Sequence, residues 1–284
     1  MNILKKIRQF WWNGYNLDRR ETAQVVVRSS NIAEIKLEEH INNPLYLEGY
    51  GAKTYSQNDE DGIIEEIFNR IGTTNKVFIE CGVNNGMECC THYLLYKGWS
   101  GAWIEADKHF YNEICSLFSD IITEDKLRVK NAFITKDNIN SLISECGIKG
   151  EIDLFSIDIV GNDYHIWNVL DVVSPRVVIM PYNAKFLPTC EWIKAYDENY
   201  IWDGSDCQYA SLKSIELLGR QLGYTLVGTN ANGVNAFLVR NDLLKTDAFP
   251  SPATAENLYN PARRWMFFES GRGNEYAKYP LLHK

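Results

Sequence analysis

Residues 224–240 read Y-T-L-V-G-T-N-A-N-G-V-N-A-F-L-V-R, two apolar runs separated by a polar loop. The runs 224–228 and 234–240 predict strands, and about five residues lie between them. A parallel crossover needs a dozen residues or more, so these two strands must pair antiparallel, with Asn232-Gly233 as the turn. Upstream the pattern differs. Strands are predicted at 76–81, 101–106, 127–133, 152–159 and 176–182, and helices at 59–71, 88–97, 109–120, 138–146 and 211–222. The central strands are nearly continuous apolar runs, as expected where helices cover both faces of a sheet. The expected fold is α/β, a doubly wound, mostly parallel seven-stranded sheet closed by an antiparallel terminal hairpin. Dinucleotide-dependent dehydrogenases do not usually end this way.

Composition narrows the function. The chain has 284 residues, 45% of them hydrophobic, enough to bury a sizeable core. A formal net charge of -8 offers no general basic face, which argues against nucleic acid as the partner. No apolar run is long enough for a transmembrane helix. The first residues, M-N-I-L-K-K-I-R-Q-F-W-W, lack the pattern of a secretory leader. They predict a short basic amphipathic helix with Ile3, Leu4, Ile7, Phe10 and Trp11 on one face. Packing on its own domain or on a second subunit is favoured over a membrane surface, so a homo-oligomer through this helix is one expectation. The seven cysteines include no C-x-x-C, so neither a zinc site nor a disulfide framework is expected, and reduced thiols in the cytoplasm are. Residues 1–50 are read as a helical and irregular extension, with a helical stretch near 31–40. Residues 51–284 are read as the main domain, with an acceptor-shaping loop around 184–210 and a tail at 243–284.

The candidate site residues fall at predicted strand ends. The first strand runs into E-C-G-V-N-N-G-M-E-C-C, where Glu80, Gly82 and Gly86 form E-x-G-x-x-x-G. Asn84 stands where the dinucleotide fingerprint needs a glycine. Glycines there let the backbone turn off the strand and approach a ligand, while Glu80 would repel a pyrophosphate and attract a cation. Cys89 and Cys90 are expected to open the following helix. Glu105 ends the second strand, nineteen residues past Gly86, where an acid can accept from ribose hydroxyls. Asn131 and Ala132 end the third strand and could border an adenine ring. Asp158, Asn162 and Asp163 gather at the end of the fourth, with His165 beside them, and Asp158, Asp163 or His165 is the candidate for removing an acceptor proton. Asp158 and Asn183 could hold Mg²⁺, but two ligands do not make a site, and no metal is assigned. The segment 188–210 is rich in aromatics and carboxylates, which suits a sugar or other polyhydroxy acceptor.

A parallel sheet closed by an antiparallel hairpin is the arrangement of the Rossmann-like, class I S-adenosylmethionine (SAM) methyltransferases. The chain resembles the FkbM-like methyltransferase family within that class. The resemblance rests on Y-S-Q-N-D-E-D-G-I-I-E-E-I-F, E-C-G-V-N-N-G-M-E, T-H-Y-L-L, G-W-S-G-A-W-I-E, S-I-D-I-V-G-N-D-Y, Y-N-A-K-F, W-D-G-S-D and G-V-N-A-F-L-V-R-N-D-L, spread over roughly 55–260. It implies SAM binding through Glu80, Gly82, Gly86 and Glu105, and O-methylation of a hydroxylated small molecule such as a sugar or sugar nucleotide. Several members lie among polysaccharide or natural-product genes. The chain departs from the pattern at Val160 and Pro181, where the family has acids, at Cys89-Cys90, where it has Asn-Asn, and at His165, where it has a bulky aromatic. Loss of two acids leaves open a second expectation: a weakened SAM-fold protein with a binding or regulatory role in polysaccharide assembly.

Overall fold

A computed structural model describes residues 33–263, so the N-terminal amphipathic segment and the end of the tail lie outside the described residues. Seven strands form one sheet: β1 Val77–Cys81, β2 Ser100–Glu105, β3 Leu127–Asn131, β4 Gly150–Ile157, β5 Val173–Pro181, β6 Tyr224–Thr229 and β7 Asn235–Arg240. Their order is β3-β2-β1-β4-β5-β7-β6. β1 to β5 pair in parallel, and β7 runs antiparallel between β5 and β6. The hairpin is therefore as expected, folded back so that its second strand lies beside β5. At its turn Gly233 has φ +75°, and a Cβ there would lie 2.4 Å from the carbonyl oxygen of Pro261.

The helices are α1 at 33–41, α2 Glu60–Ile71, α3 His92–Tyr96, α4 Lys108–Leu117, α5 Ser119–Thr123, α6 Ile139–Glu145, α7 Asp163–Asn168, α8 Leu212–Leu222 and α9 Ala255–Leu258. α2 shows why they form. Ile63, Ile64, Ile67, Phe68 and Ile71 fall on one face and are buried, and Glu60 and Asp61 occupy the first turn, where the helix dipole favours acids. Two predicted helices come out shorter. The one expected at 88–97 starts only at His92, because Cys89 and Cys90 form a turn. The one expected at 109–120 divides at Phe118, whose ring turns inward, edge-on to Trp103 with centroids 4.9 Å apart.

Strand residues alternate between two apolar layers. Ile79, Cys81, Ile104, Phe155, Ile157, Val178 and Met180 pack against α6, α7 and α8. Phe78, Trp103, Leu154, Val177 and Ile179 pack against α2, α3 and α4. Leu47, from the segment read as an extension, is fully buried in the second layer. The strand order turns in opposite directions from β1 and β4, and the crevice between their carboxyl ends is where open sheets of this kind bind ligands.

Candidate functional site at the carboxyl ends of the strands

The β1 loop is held by its own acids. Gly82 has φ +80°, and a Cβ on it would lie 2.0 Å from the carbonyl oxygen of Asp158. The first glycine thus lets the β1 and β4 loops cross in contact. Gly86 has φ +78°, and a Cβ there would sit 2.5 Å from the indole of Trp103. The missing side chain of Gly86 makes room for Trp103.

Glu80 is buried, and four donors fill its carboxylate. Oε1 accepts from the Cys90 amide at 2.9 Å and the Ser156 hydroxyl at 3.2 Å, and Oε2 from the Thr91 amide at 2.9 Å and hydroxyl at 2.6 Å. A carboxylate offers about four acceptor sites, so a direct bond from Glu80 to a bound cation is replaced by an influence of charge alone. Burial pushes its carboxyl above the usual range, opposed by those donors. The Cys89-Cys90 turn is the other half of this arrangement. Burial, with Glu80 adding, raises both thiols well above their ordinary range, so neither is a poised thiolate.

Glu105, also buried, clips the same loop. Its Oε2 accepts from the amides of Val83 at 3.1 Å and Asn84 at 2.8 Å, and Oε1 from that of Asp107 at 2.8 Å. Burial raises its carboxyl, opposed by these amides and that of Ala106. Asn84 itself is exposed and has φ +51°. Beside Glu105 in the register stands Asn131, whose side-chain amide donates to the carbonyls of Glu105 and Ala106. Ala132 donates its backbone amide to Glu105 O at 3.0 Å, and Phe133 next to it is 44% exposed, an apolar surface at the mouth of the crevice.

The β4 loop separates the three proton-transfer candidates. Asp163 is spent on the loop: Oδ1 accepts from the Ile159 amide at 2.8 Å and Oδ2 from that of Gly161 at 2.9 Å. His165 lies with Nε2 2.8 Å from the carbonyl oxygen of Lys194. A carbonyl only accepts, so Nε2 carries the proton and the ring ties α7 to the 184–210 loop. Asp158 is different. It is partly exposed at the switch point, and among the described residues its side chain has one hydrogen-bond partner, the Tyr209 hydroxyl, which donates to Oδ1 at 3.0 Å. Burial, then the charge of Asp163, with Glu80 and Glu60 adding, pushes its carboxyl up to about 7. Asp163 is pushed up to about 6 by burial, against the backbone amides of Ile159, Gly161 and its own residue. Among the described residues no lysine or arginine pairs with Asp158, Asp163, Glu80 or Glu60.

Sequence reasoning missed two partners here. Tyr209 has φ +62°, a strained geometry that a Q-Y-A-S stretch does not advertise. Glu60, fully buried at the start of α2, accepts from the side-chain amides of Asn58, Asn230 and Asn235, which links α2 to the hairpin turn. Asn183 turns away from any cation: its amide donates to the carbonyls of Asp206 and Gln208, and its Oδ1 accepts from Lys185 N, so it anchors the loop. The Mg²⁺ pairing of Asp158 with Asn183 is thereby corrected. Among the described residues no group of three or more histidine, cysteine and acidic side chains could hold a metal ion.

The strand order with β7 reversed is that of the class I SAM-dependent methyltransferase fold. No family model matches the chain, and no curated protein matches it. Solved structures similar in architecture include the magnesium protoporphyrin IX methyltransferase of Synechocystis PCC 6803 with bound SAM. It is 10% identical, with a TM-score of 0.42 over 65% of this chain and 79% of that one. A SAM-dependent methyltransferase from Clostridium acetobutylicum ATCC 824 is 9% identical, TM-score 0.42, over 66% and 92%. One from Aquifex aeolicus is 10% identical, TM-score 0.37, over 62% and 87%.

Proposed function

We propose that the chain is a SAM-dependent O-methyltransferase of a small hydroxylated acceptor, of the kind found in polysaccharide or natural-product biosynthesis, with Asp158 as the base. The observation that carries this reading is the concentration of acids at the β1–β4 crevice with no lysine or arginine paired to them among the described residues. Asp163, Glu80 and Glu60 raise the proton affinity of Asp158, an arrangement that a positively charged ligand relieves. SAM, when bound, supplies a methyl group already activated on a sulfonium centre. Gly82, the Val83–Asn84 backbone and Glu105 would hold it, with Phe133, Asn131 and Ala132 at the adenine end.

The chain's own task is then alignment and proton removal. Asp158 accepts the acceptor's hydroxyl proton, and the Tyr209 hydroxyl fixes the orientation of its carboxylate. Asp163 positions Asp158 by shaping the loop, and His165 positions the segment that covers the crevice. A pKa of about 7 suits a general base near neutrality. Ionised Asp158 attracts the donor, so SAM affinity measured by calorimetry should rise severalfold from pH 6 to pH 8 and level off above, and Asp158→Asn should flatten that rise. Absence of binding by both SAM and S-adenosylhomocysteine would sink the reading. Gly82→Val is not a clean test, because its side chain would displace Asp158 as well as fill the crevice.

The alternative of a binding or regulatory role is favoured by Val160 and Pro181, which stand where the resemblance expects acids. Donor binding without turnover on a panel of sugars and sugar nucleotides would support it.

A further inference from the structure

We propose that the acceptor is an anionic carbohydrate whose oxyanion, a phosphate or a carboxylate, is held by Lys136 and Lys194 at the rim of the crevice. The proposal rests on the methyl-transfer reading and narrows its substrate class. The Lys194 ammonium lies 3.5 Å from the centroid of the Tyr200 ring. That ring is seated on Gly161, where a Cβ would come within 2.6 Å of Tyr200 Cε1 and 3.2 Å of Lys194 Cδ. The lysine and tyrosine are thus stacked on the loop that carries Asp158 and Asp163. The backbone joins them to the same place: Lys194 N donates to Tyr209 O at 3.2 Å, and the Tyr209 hydroxyl reaches Asp158.

Lys136 repeats the device. Its ammonium lies 4.0 Å from the centroid of the Tyr196 ring, and its amide donates to the Tyr196 hydroxyl at 3.2 Å. Tyr196 stands edge-on to His165, with centroids 5.5 Å apart, and His165 is bonded to the carbonyl of Lys194. Both lysines therefore flank one imidazole. After burial, their two charges help to hold His165 below its ordinary range.

Neither ammonium has a carboxylate partner among the described residues. Lys194 Nζ lies 3.5 Å from its neighbour's carbonyl, Ala195 O. Asp203 is held below its usual range first by Ser205 and only weakly by Lys194. In a chain of net charge -8, two ammonium groups without a carboxylate among the described residues, both within electrostatic reach of His165, stand out beside a well of acids. Each tyrosine face orients its lysine while leaving N–H donors free. The site is therefore polarised: acids below for a cationic donor, ammonium groups at the rim for an anionic acceptor, and the base between them.

The experiment is calorimetry on the full chain with saturating S-adenosylhomocysteine, using glucose, glucose 1-phosphate and glucuronate as probes. At least one anionic sugar should bind tenfold or more tightly than glucose. A preference for glucose 1-phosphate alone assigns a phosphate, and for glucuronate alone a carboxylate. The double variant K136Q/K194Q should lose that preference while keeping its circular dichroism and its SAM affinity. If the three sugars bind alike, if none binds, or if the preference survives in the folded double variant, the proposal is overturned. Wild-type SAM affinity is measured separately, so failure of the donor reading is seen in that titration and failure of the anion reading in the sugar series.

Discussion

Two aspartates at opposite ends of β4 are handled in opposite ways. Asp153, near the amino end, is fully buried and lies 3.0 Å from Arg176 Nε. It also accepts from the backbone amides of Thr74, Asn75 and Lys76, at 2.6–3.0 Å, and so fixes the turn between α2 and β1. Arg176 in turn donates through Nη2 to the carbonyls of Ile71 and Gly72. Asp158, at the carboxyl end, has Tyr209 in place of a cation and three other acids within electrostatic reach. A buried carboxylate with a full set of donors holds the fold together. One left short of them retains the proton affinity that chemistry needs.

Replacing the two residues in turn separates these roles. Asp158→Asn should cut turnover by roughly 10²–10⁴-fold, the usual contribution of a positioned base. The same variant should be more stable than wild type at pH 8. The reason lies in the sign of the shift. Folding raises the Asp158 pKa to about 7, so ionisation in the native state costs stability progressively as pH rises from the unfolded value toward 7. The stability gain should be present at pH 8 and shrink toward pH 4 in thermal melts. A variant that loses activity and is destabilised at pH 8 would erase the contrast between the two ends. Asp153→Asn should do the reverse. It leaves the Arg176 charge buried without its counter-ion, a loss of about 3–5 kcal/mol. At about 2–4 °C per kcal/mol for a chain of this size, the melting temperature should drop by roughly 10 °C, with SAM affinity of the folded fraction retained.

The same contrast explains what could be read from the amino-acid order. The hairpin was legible because loop length and Asn232-Gly233 turn chemistry act locally, and the strand alternation because apolar runs report burial directly. The acids were legible as a set. Their roles were not, since role depends on which backbone amides fold back onto them. Glu80 also holds the Cys90–Thr91 turn, and Gly86 also makes room for Trp103, roles that the motif does not announce. Asp158, Asp163 and His165 were equivalent candidates until the loop geometry occupied two of them. Tyr209 lies 51 positions from Asp158, and nothing local marks the pairing.

The smallest expected effect tests whether strain at the carboxyl end serves a purpose. Val160 has φ +53°, a left-handed backbone that a β-branched residue adopts only under constraint. The constraint is visible: Asp163 accepts from the amides on both sides of it, those of Ile159 and Gly161, and the Tyr200 ring presses on Gly161. Asparagine tolerates this conformation, so Val160→Asn should stabilise the chain by about 1 kcal/mol, or roughly 2–4 °C in a melt. If the loop is held by Asp163 and Tyr200 alone, turnover should stay unchanged, because Asp158 keeps its place. A fall in turnover with the stability gain would instead mean that the bulk of Val160 presses Asp158 toward the crevice. The strain would then belong to the site.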